Sequence, residues 1–534
     1  MKRNFLAFLI LMIQLSFAQD TKTAWDNTLN KNWPEGFIPT DIKSSVDGSM
    51  QKAFFYKSHQ ATAQPLIVSL HTWSGDYLQE DPLAKEVQLR DWNYIHPDFR
   101  GKNTKPDACG SDLAIADIED AIQLAILNGN VDKNEVHIIG VSGGGYATLL
   151  LFMRLNYPAK SFSAWASISD LEDWYWECKG RNLKYANDLE GVTSNGKGFN
   201  LEEARKRSPM FMEYQPDLRK GAFLNIYAGV HDGYTGSVPI THSINMYNKL
   251  LGDIYPEQKN KLVTDSLKLV LLAKRMNPIP ETNLVLDGRK IHLIRELPGL
   301  SLTIFEGGHE IIVPQALALI PVQNKKNIEK LNILTIGDSN AAAEIGWPNQ
   351  LKKLLPFSTV VNKSISGNTI GFDNLDQEKL NTLKNIHRYL EEAFVELDTN
   401  STIDYIFIGL GTNDTKRIFE SRQKEVPQNM EKLIQKIKQW AGNHQKRIHK
   451  IVIITPPPID EQKANIEKYG GGDGLIQKNN LQFRKVAKNN QADFLDVYTN
   501  LKTGISKKTI DGVHLTEGAQ FQVADEIENY LNKK

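Results

Sequence analysis

VHIIGVSGGGYATLL, residues 136–150, decides how the first half of the chain is read. It opens with a β-branched apolar run at 136–139 and turns at Gly140. A small-residue apolar run of helical character follows at 146–151. Ser142 lies between Gly140 and Gly144 in the pattern G-x-S-x-G. A strand, a sharp turn bearing a serine and a helix describe a nucleophile elbow, in which a strained backbone lifts the hydroxyl out at the carboxyl end of a sheet. Glycines flank the serine because strand and helix approach too closely there for side chains.

Outward from that stretch, further β-type runs stand at 66–70, 92–95, 162–165, 223–227 and 302–305, with helical spacing at 115–127. Strands alternating with helices predict a mainly parallel sheet covered on both faces, with functional groups just after strand ends. Asp232 follows the 223–227 run and His309 follows the 302–305 run, so Ser142, Asp232 and His309 come in the order Ser…Asp…His. The types suit the chemistry. A neutral imidazole takes the serine proton near neutral pH, and a carboxylate fixes its tautomer and stabilises the imidazolium. His231 and Asp170 compete for these places, since both also follow strands. An oxyanion hole would pair the amide of Gly143 with one from the 71–76 loop, HTWSGD, donated by Thr72 or Trp73.

On these residues, 25–322 resembles the prolyl-oligopeptidase-like and carbohydrate-esterase branch of the α/β hydrolases. The resemblance implies a serine hydrolase and leaves ester against amide open. Only about 40 mature residues precede the first core strand, about one blade of the propeller that gates oligopeptidases. Residues 170–209 lack strand periodicity and read as an insertion over the site. Its Trp174 and Trp176 either stack on a sugar ring or an aromatic acyl group, or anchor the insertion.

A polar stretch, QNKKNIEK at 323–330, reads as the linker to a second domain, 331–534. A strand at 331–336 ends in Gly337-Asp338-Ser339, and one at 403–410 ends in Gly411-Thr412-Asn413-Asp414. SISGNT stands at 364–369 and DGVH at 511–514. These four blocks, in this order, resemble the SGNH or GDSL-type hydrolases. The resemblance implies that Ser339 is the nucleophile and that its own amide, Gly367 and Asn413 bind the oxyanion. It makes His514 the base, oriented by Asp511. Asn340 departs from the pattern, which has an apolar residue after the serine. The glycine-rich run 470–474 reads as a flexible loop before a helical segment at Leu481. The expected fold class is therefore α/β in two domains, an α/β-hydrolase fold and then a flavodoxin-like SGNH fold, both with mainly parallel sheets.

Composition is that of globular protein: 41% apolar and 24% charged over 534 residues. Lys plus Arg equals Asp plus Glu at 63 each, so no basic surplus points to nucleic acid or an anionic membrane. Lys2 and Arg3, the apolar run 5–17, and Ser16 and Ala18 predict a signal peptide, 1–18, cleaved after Ala18. No cysteine follows for a lipid anchor and no second stretch is long and apolar enough to span a bilayer, so an exported protein, periplasmic or secreted, is expected. Cys109 and Cys178 either pair in an oxidising compartment or remain buried thiols. No histidine or cysteine spacing suggests a metal, and no cofactor is expected. The expected partner is an acylated glycan, deacylated by one serine site per domain. The alternative is a peptidase of the prolyl-oligopeptidase type with an auxiliary SGNH deacylase. Oligomeric state is not legible.

Overall fold

The computed structural model describes Thr28 and residues 32–322, 330–397 and 402–533. The expected signal peptide, 1–18, and all of the expected linker except Lys330 lie outside the described residues. The chain divides into two compact units, one reaching to 277 and including 294–313, the other comprising 278–293 and 314–534. Residues 278–293 and 314–322 thus group with the second unit, ahead of the sequence-based boundary.

In the first unit the strands are β1 (Ile38–Lys43), β2 (Met50–Tyr56), β3 (Gln64–Leu70), β4 (Asn93–Pro97), β5 (Val131–Val141), β6 (Ser161–Trp165) and β7 (Phe223–Gly229). In chain order β8 (Val285–Leu286), β9 (Arg289–Leu297) and β10 (Leu300–Phe305) follow. The sheet runs β1-β2-β4-β3-β5-β6-β7-β10. From β4 to β10 every pairing is parallel. β4 and β6 are buried at every residue and β3 at all but its first, as strands covered on both faces must be. The antiparallel edge of β1 and β2 escapes the sequence reading because polar residues interrupt both runs and much of β1 is exposed.

The segment 170–209 forms three helices, Leu171–Gly180, Tyr185–Ser194 and Leu201–Arg207. Asp170 caps the first, accepting from the amides of Glu172 and Asp173, and Asn200 caps the third. They bury Leu171, Trp174, Tyr175, Cys178, Leu189 and Val192 in a small apolar cluster that also holds Trp73, Cys109 and Tyr146. Cys109 and Cys178 are free thiols buried within it.

The second unit is built on β11 (Asn332–Gly337), β12 (Thr359–Asn362), β13 (Thr402–Gly409), β14 (Arg447–Ile454) and β15 (Asp493–Leu495). The order is β12-β11-β13-β14-β15, all parallel, which is the flavodoxin-like arrangement. Ile403, Ile406, Ile408, Ile453 and Leu334 are fully buried between helices, each stabilising the fold by roughly 1.5–3 kcal/mol. The strand order reverses at β11, between β12 and β13. Loops leaving β11 and β13 therefore diverge and open a crevice at their carboxyl ends.

The glycine run is not a loop. Gly471, at φ 78°, starts a helix that spans Gly472–Asn489. A Cβ on Gly472 would lie 3.0 Å from Ile459 Cδ1, so the residue is small for packing. Asp473 in the first turn accepts from the Ile459 amide at 3.0 Å.

Candidate active sites

In the first unit β5 ends at Val141, and Ser142 follows at φ 59°, ψ −118°, before the helix Gly143–Arg154. A side chain in this strained region costs of order 1–3 kcal/mol and persists only where its surroundings enforce it. The neighbours do so. A Cβ on Gly140 would fall 2.3 Å from the Gly144 carbonyl oxygen, and one on Gly144 would fall 2.3 Å from the Leu70 carbonyl oxygen.

The turns after β7 and β10 bring the expected partners to Ser142. His309 Nε2 is 2.9 Å from Ser142 Oγ, and His309 Nδ1 is 2.7 Å from Asp232 Oδ2. The other oxygen of the fully buried Asp232 accepts from the amides of Gly233 and Val238 at 2.8 and 3.2 Å. His231 instead faces Glu306 at 2.6 Å, and Asp170 is occupied as a helix cap, so neither competitor stands in this line.

Of the two loop residues expected at the oxyanion hole, Trp73 has the right place and Thr72 does not. The Thr72 amide and hydroxyl both donate to Gln79 Oε1 at 3.0 Å. The Trp73 nitrogen lies where a Cβ on Gly143 would come within 2.2 Å of it, so the amides of Trp73 and Gly143 adjoin. Gln79 was invisible in the sequence because its side chain returns to its partner across seven positions.

Trp174 is not a stacking platform. Its ring is 1% exposed, packs edge-on against Trp73 at 4.7 Å and donates from Nε1 to the Ser237 carbonyl at 3.0 Å. It anchors the inserted helices to the loop at 71–76. Trp176, on the opposite face of the same helix, is 61% exposed. Ser237, not anticipated from sequence, places Oγ 3.5 Å from His309 Nε2.

In the second unit Asp338 caps a short helix, Ser339–Ala342, at the end of β11. His514 Nε2 is 3.0 Å from Ser339 Oγ, and His514 Nδ1 is 2.7 Å from Asp511 Oδ2. Asp511 Oδ1 accepts from the amides of Val513 and His514 at 3.0 and 2.8 Å. Partial burial pushes the Asp511 carboxyl up. The bonds from the His514 amide and ring and from Val513 outweigh it and hold the group down at about 2.

Gly367 and Asn413 come from the loops after β12 and β13, on either side of the crevice. Gly367 adopts φ 89°. The Asn413 amide is oriented on both sides, Nδ2 donating to the Asn368 carbonyl at 3.0 Å and Oδ1 accepting from Tyr469 Oη at 3.2 Å. Its second N–H is not used by that pair. Beneath them the buried Lys416 donates to Asn374 Oδ1 at 3.0 Å, and Asn374 Nδ2 donates to the Gly367 carbonyl at 2.6 Å. Burial, aided by repulsion from Lys468, pushes the Lys416 amine down to about 8. Burial likewise pushes Asp414 up to about 7, with the nearby Asp338 charge adding to it against the donated Ile370 amide. Asn374, Lys416 and Tyr469 lie outside the four sequence blocks, and nothing in their spacing marks them.

Among the described residues no group of three or more His, Cys, Asp or Glu is placed to hold a metal, and no helix is long and apolar enough to cross a membrane.

The second unit thus combines a five-stranded parallel sheet of this order with a Ser–His–Asp line at its switch point. Residues 334–520 match the GDSL-like Lipase/Acylhydrolase family, so the second unit carries a GDSL-type hydrolase domain. Solved structures with similarity to the chain include Est24, a carbohydrate acetylesterase from Sinorhizobium meliloti, at 21% identity. That match covers 38% of this chain and 98% of Est24, with a TM-score of 0.32. The M. smegmatis aryl esterase matches at 21% identity over 38% of this chain and 99% of its own, with a TM-score of 0.32. A Pyrococcus horikoshii acylaminoacyl peptidase matches at 17% identity over 41% of this chain and 35% of its own, with a TM-score of 0.33.

Proposed function

We propose that the chain is an exported serine hydrolase with two active sites, which removes acetyl or other acyl groups from decorated polysaccharides or oligosaccharides. The observation that carries this reading is the pair of hydrogen-bonded Ser–His–Asp lines, each complete within its own unit.

In each unit the serine hydroxyl attacks the ester carbonyl while the histidine Nε2 takes its proton, and the aspartate stabilises the imidazolium. The oxyanion is held by the amides of Gly143 and Trp73 in the first unit. In the second it is held by the amides of Ser339 and Gly367 and the side chain of Asn413. The imidazolium returns the proton to the departing alkoxide, and the acyl-enzyme is then cleaved by water activated by the same histidine. The products are an alcohol and a carboxylic acid.

Two dissimilar ester-cleaving sites suit a substrate that bears more than one kind of acyl group. The exposed Trp176 supports a sugar or aryl substrate at the first site. It lies on the helix Leu171–Gly180, whose following residue, Arg181, donates to the Gly236 carbonyl in the loop beside Asp232 and His309. The deciding experiment assays Ser142→Ala and Ser339→Ala on a panel of acetylated and feruloylated glycans. Each is expected to lose a different part of the panel. Turnover of aminoacyl-nitroanilides that depends on Ser142, with no ester turnover, would replace the first site's esterase reading by the peptidase alternative.

A further inference from the structure

Asn340 follows the nucleophile, where the GDSL-type pattern has an apolar residue. In this chain it is buried. Its amide makes three hydrogen bonds, and two of them reach the backbone on either side of His514. Asn340 Nδ2 donates to the Val513 carbonyl at 3.1 Å, and Oδ1 accepts from the Leu515 amide at 2.8 Å. Oδ1 also accepts from Gln520 Nε2 at 3.2 Å, and Gln520 Oε1 in turn accepts from the Trp347 amide at 3.0 Å. The polarity of the two backbone partners fixes which end of the amide is which, since a carbonyl can only accept and an N–H can only donate.

The base it borders sits in a turn whose other ties run away from the nucleophile: the Asp460 amide donates to the Gly512 carbonyl at 2.8 Å, Thr509 bridges Leu515, and Val513 packs with Ile459 and Tyr469. The His514 and Asp511 side chains are 47% and 53% exposed. Their mutual bond holds the imidazole to its own turn, not to the serine. The turn is tied to itself by the Ile510 amide donating to the His514 carbonyl at 2.8 Å. The link from the residue next to the nucleophile to the residues next to the base is made by Asn340.

We propose that Asn340 is a positioning residue for this site, fixing His514 Nε2 against Ser339 Oγ by clamping the backbone before and after the histidine. The inference rests on the reading of Ser339 as the nucleophile of the second unit. It explains why an amide stands where packing alone would choose a hydrocarbon. Leucine would fill the space but leave the Val513 carbonyl and the Leu515 amide without their partner, and the turn without its tie to the residue after the nucleophile. Displacements of about 1 Å at a reacting pair typically cost on the order of a hundredfold in rate.

The test uses the full chain carrying Ser142→Ala, assayed on an activated aryl acetate. Asn340→Leu is expected to lower kcat about ten- to hundredfold with KM nearly unchanged, since geometry at the reacting pair is lost and substrate contacts are not. The discriminating measurement repeats Asn340→Leu in a His514→Ala background. A residue that acts only through His514 costs little further once the imidazole is gone, whereas general loosening of the fold lowers the residual rate again. Asn340→Ala, which removes all three bonds without overfilling the space, is carried in parallel and should lower kcat in the same way as Asn340→Leu. It replaces Asn340→Leu in the cycle if circular dichroism shows the leucine variant unfolded. Full additivity in the His514→Ala background, or a raised KM with kcat intact, would overturn the proposal. A Ser339→Ala control separates the two layers. If it leaves the activity unchanged, the site reading itself fails. If it abolishes activity while Asn340→Leu is normal, only the clamp fails.

Discussion

The two units align the same three groups but protect them differently. In the first, the acid is fully buried and its histidine is 14% exposed, held by residues from three strand ends far apart in sequence. In the second, acid and base share one four-residue turn, and both are about half exposed. Long-range assembly supplies burial, so Asp232 and His309 depend on the packing of a whole sheet. A local D-x-x-H turn needs no such sheet for its internal bond but must be pinned to the nucleophile from outside. Gln79 and Trp174 serve the first arrangement by fixing the loop at 71–76. Asn374, Lys416 and Tyr469 serve the second by fixing Gly367 and Asn413.

The sharpest break in this comparison is removal of each nucleophile. Ser142→Ala and Ser339→Ala should each abolish one activity, by up to about 10⁶-fold in kcat, and spare the other. Loss of all hydrolysis on every ester tried in Ser142→Ala alone would mean that the second site does not turn over those esters.

Trp174→Ala comes next. Removing this fully buried indole should destabilise the first unit by about 3–5 kcal/mol, seen as a lowered first transition in calorimetry. Activity dependent on Ser339 should persist. An unchanged transition would mean that Trp174 does not anchor the inserted helices.

Asn413→Ala, in a Ser142→Ala background, should lower kcat and kcat/KM together by about 10²–10³. KM should change little, because in the proposed role Asn413 meets an oxygen that carries full charge only in the transition state. A tenfold rise in KM with kcat intact would make it a ground-state substrate contact.

The smallest effect is one of pH. Asp414 is raised from its ordinary 3.8 to about 7. Between those values the folded state keeps a proton that the unfolded state has released. Stability of the second unit should therefore fall as pH rises from about 4 to 7, and Asp414→Asn should flatten that slope. Asp511, held at about 2, has the opposite sign and acts only in more acid solution, where its stabilisation is lost as pH falls. Denaturation midpoints between pH 4 and 8 would decide this, and an unaltered slope in the variant would count against it.

Much of this was legible because strand ends announce themselves. Apolar runs ending in Gly and a polar residue pointed to Ser142, Asp232 and His309, and the resemblance to the GDSL-type blocks pointed to Ser339 and Asn413. What escaped depends on where side chains turn. Trp174 and Trp176 lie two positions apart on one helix, so one faces the core and the other solvent, yet both residues look alike in sequence. Choosing between Thr72 and Trp73 required knowing that Gln79 takes the Thr72 amide. The glycine run at 470–474 read as flexible, because a glycine demanded by the close approach of Ile459 looks the same as one demanded by freedom. β1 does not stand out because polar residues break its apolar pattern, and in β2 the apolar residues are confined to its last four positions after Gln51 and Lys52.

The exposure of the Asp511–His514 turn has a further consequence, in ionic strength. Mobile ions screen a charge pair that water can reach and hardly touch one sealed inside protein, and the Debye length falls from about 10 Å at 0.1 M to about 3 Å at 1 M. In the proposed mechanism an imidazolium at His514 leans on a carboxylate open to those ions, while one at His309 leans on a carboxylate that is not. Added salt should therefore slow the second site and leave the first nearly unmoved, so that, if both sites turn over as proposed, dissolved electrolyte alone shifts the balance between them.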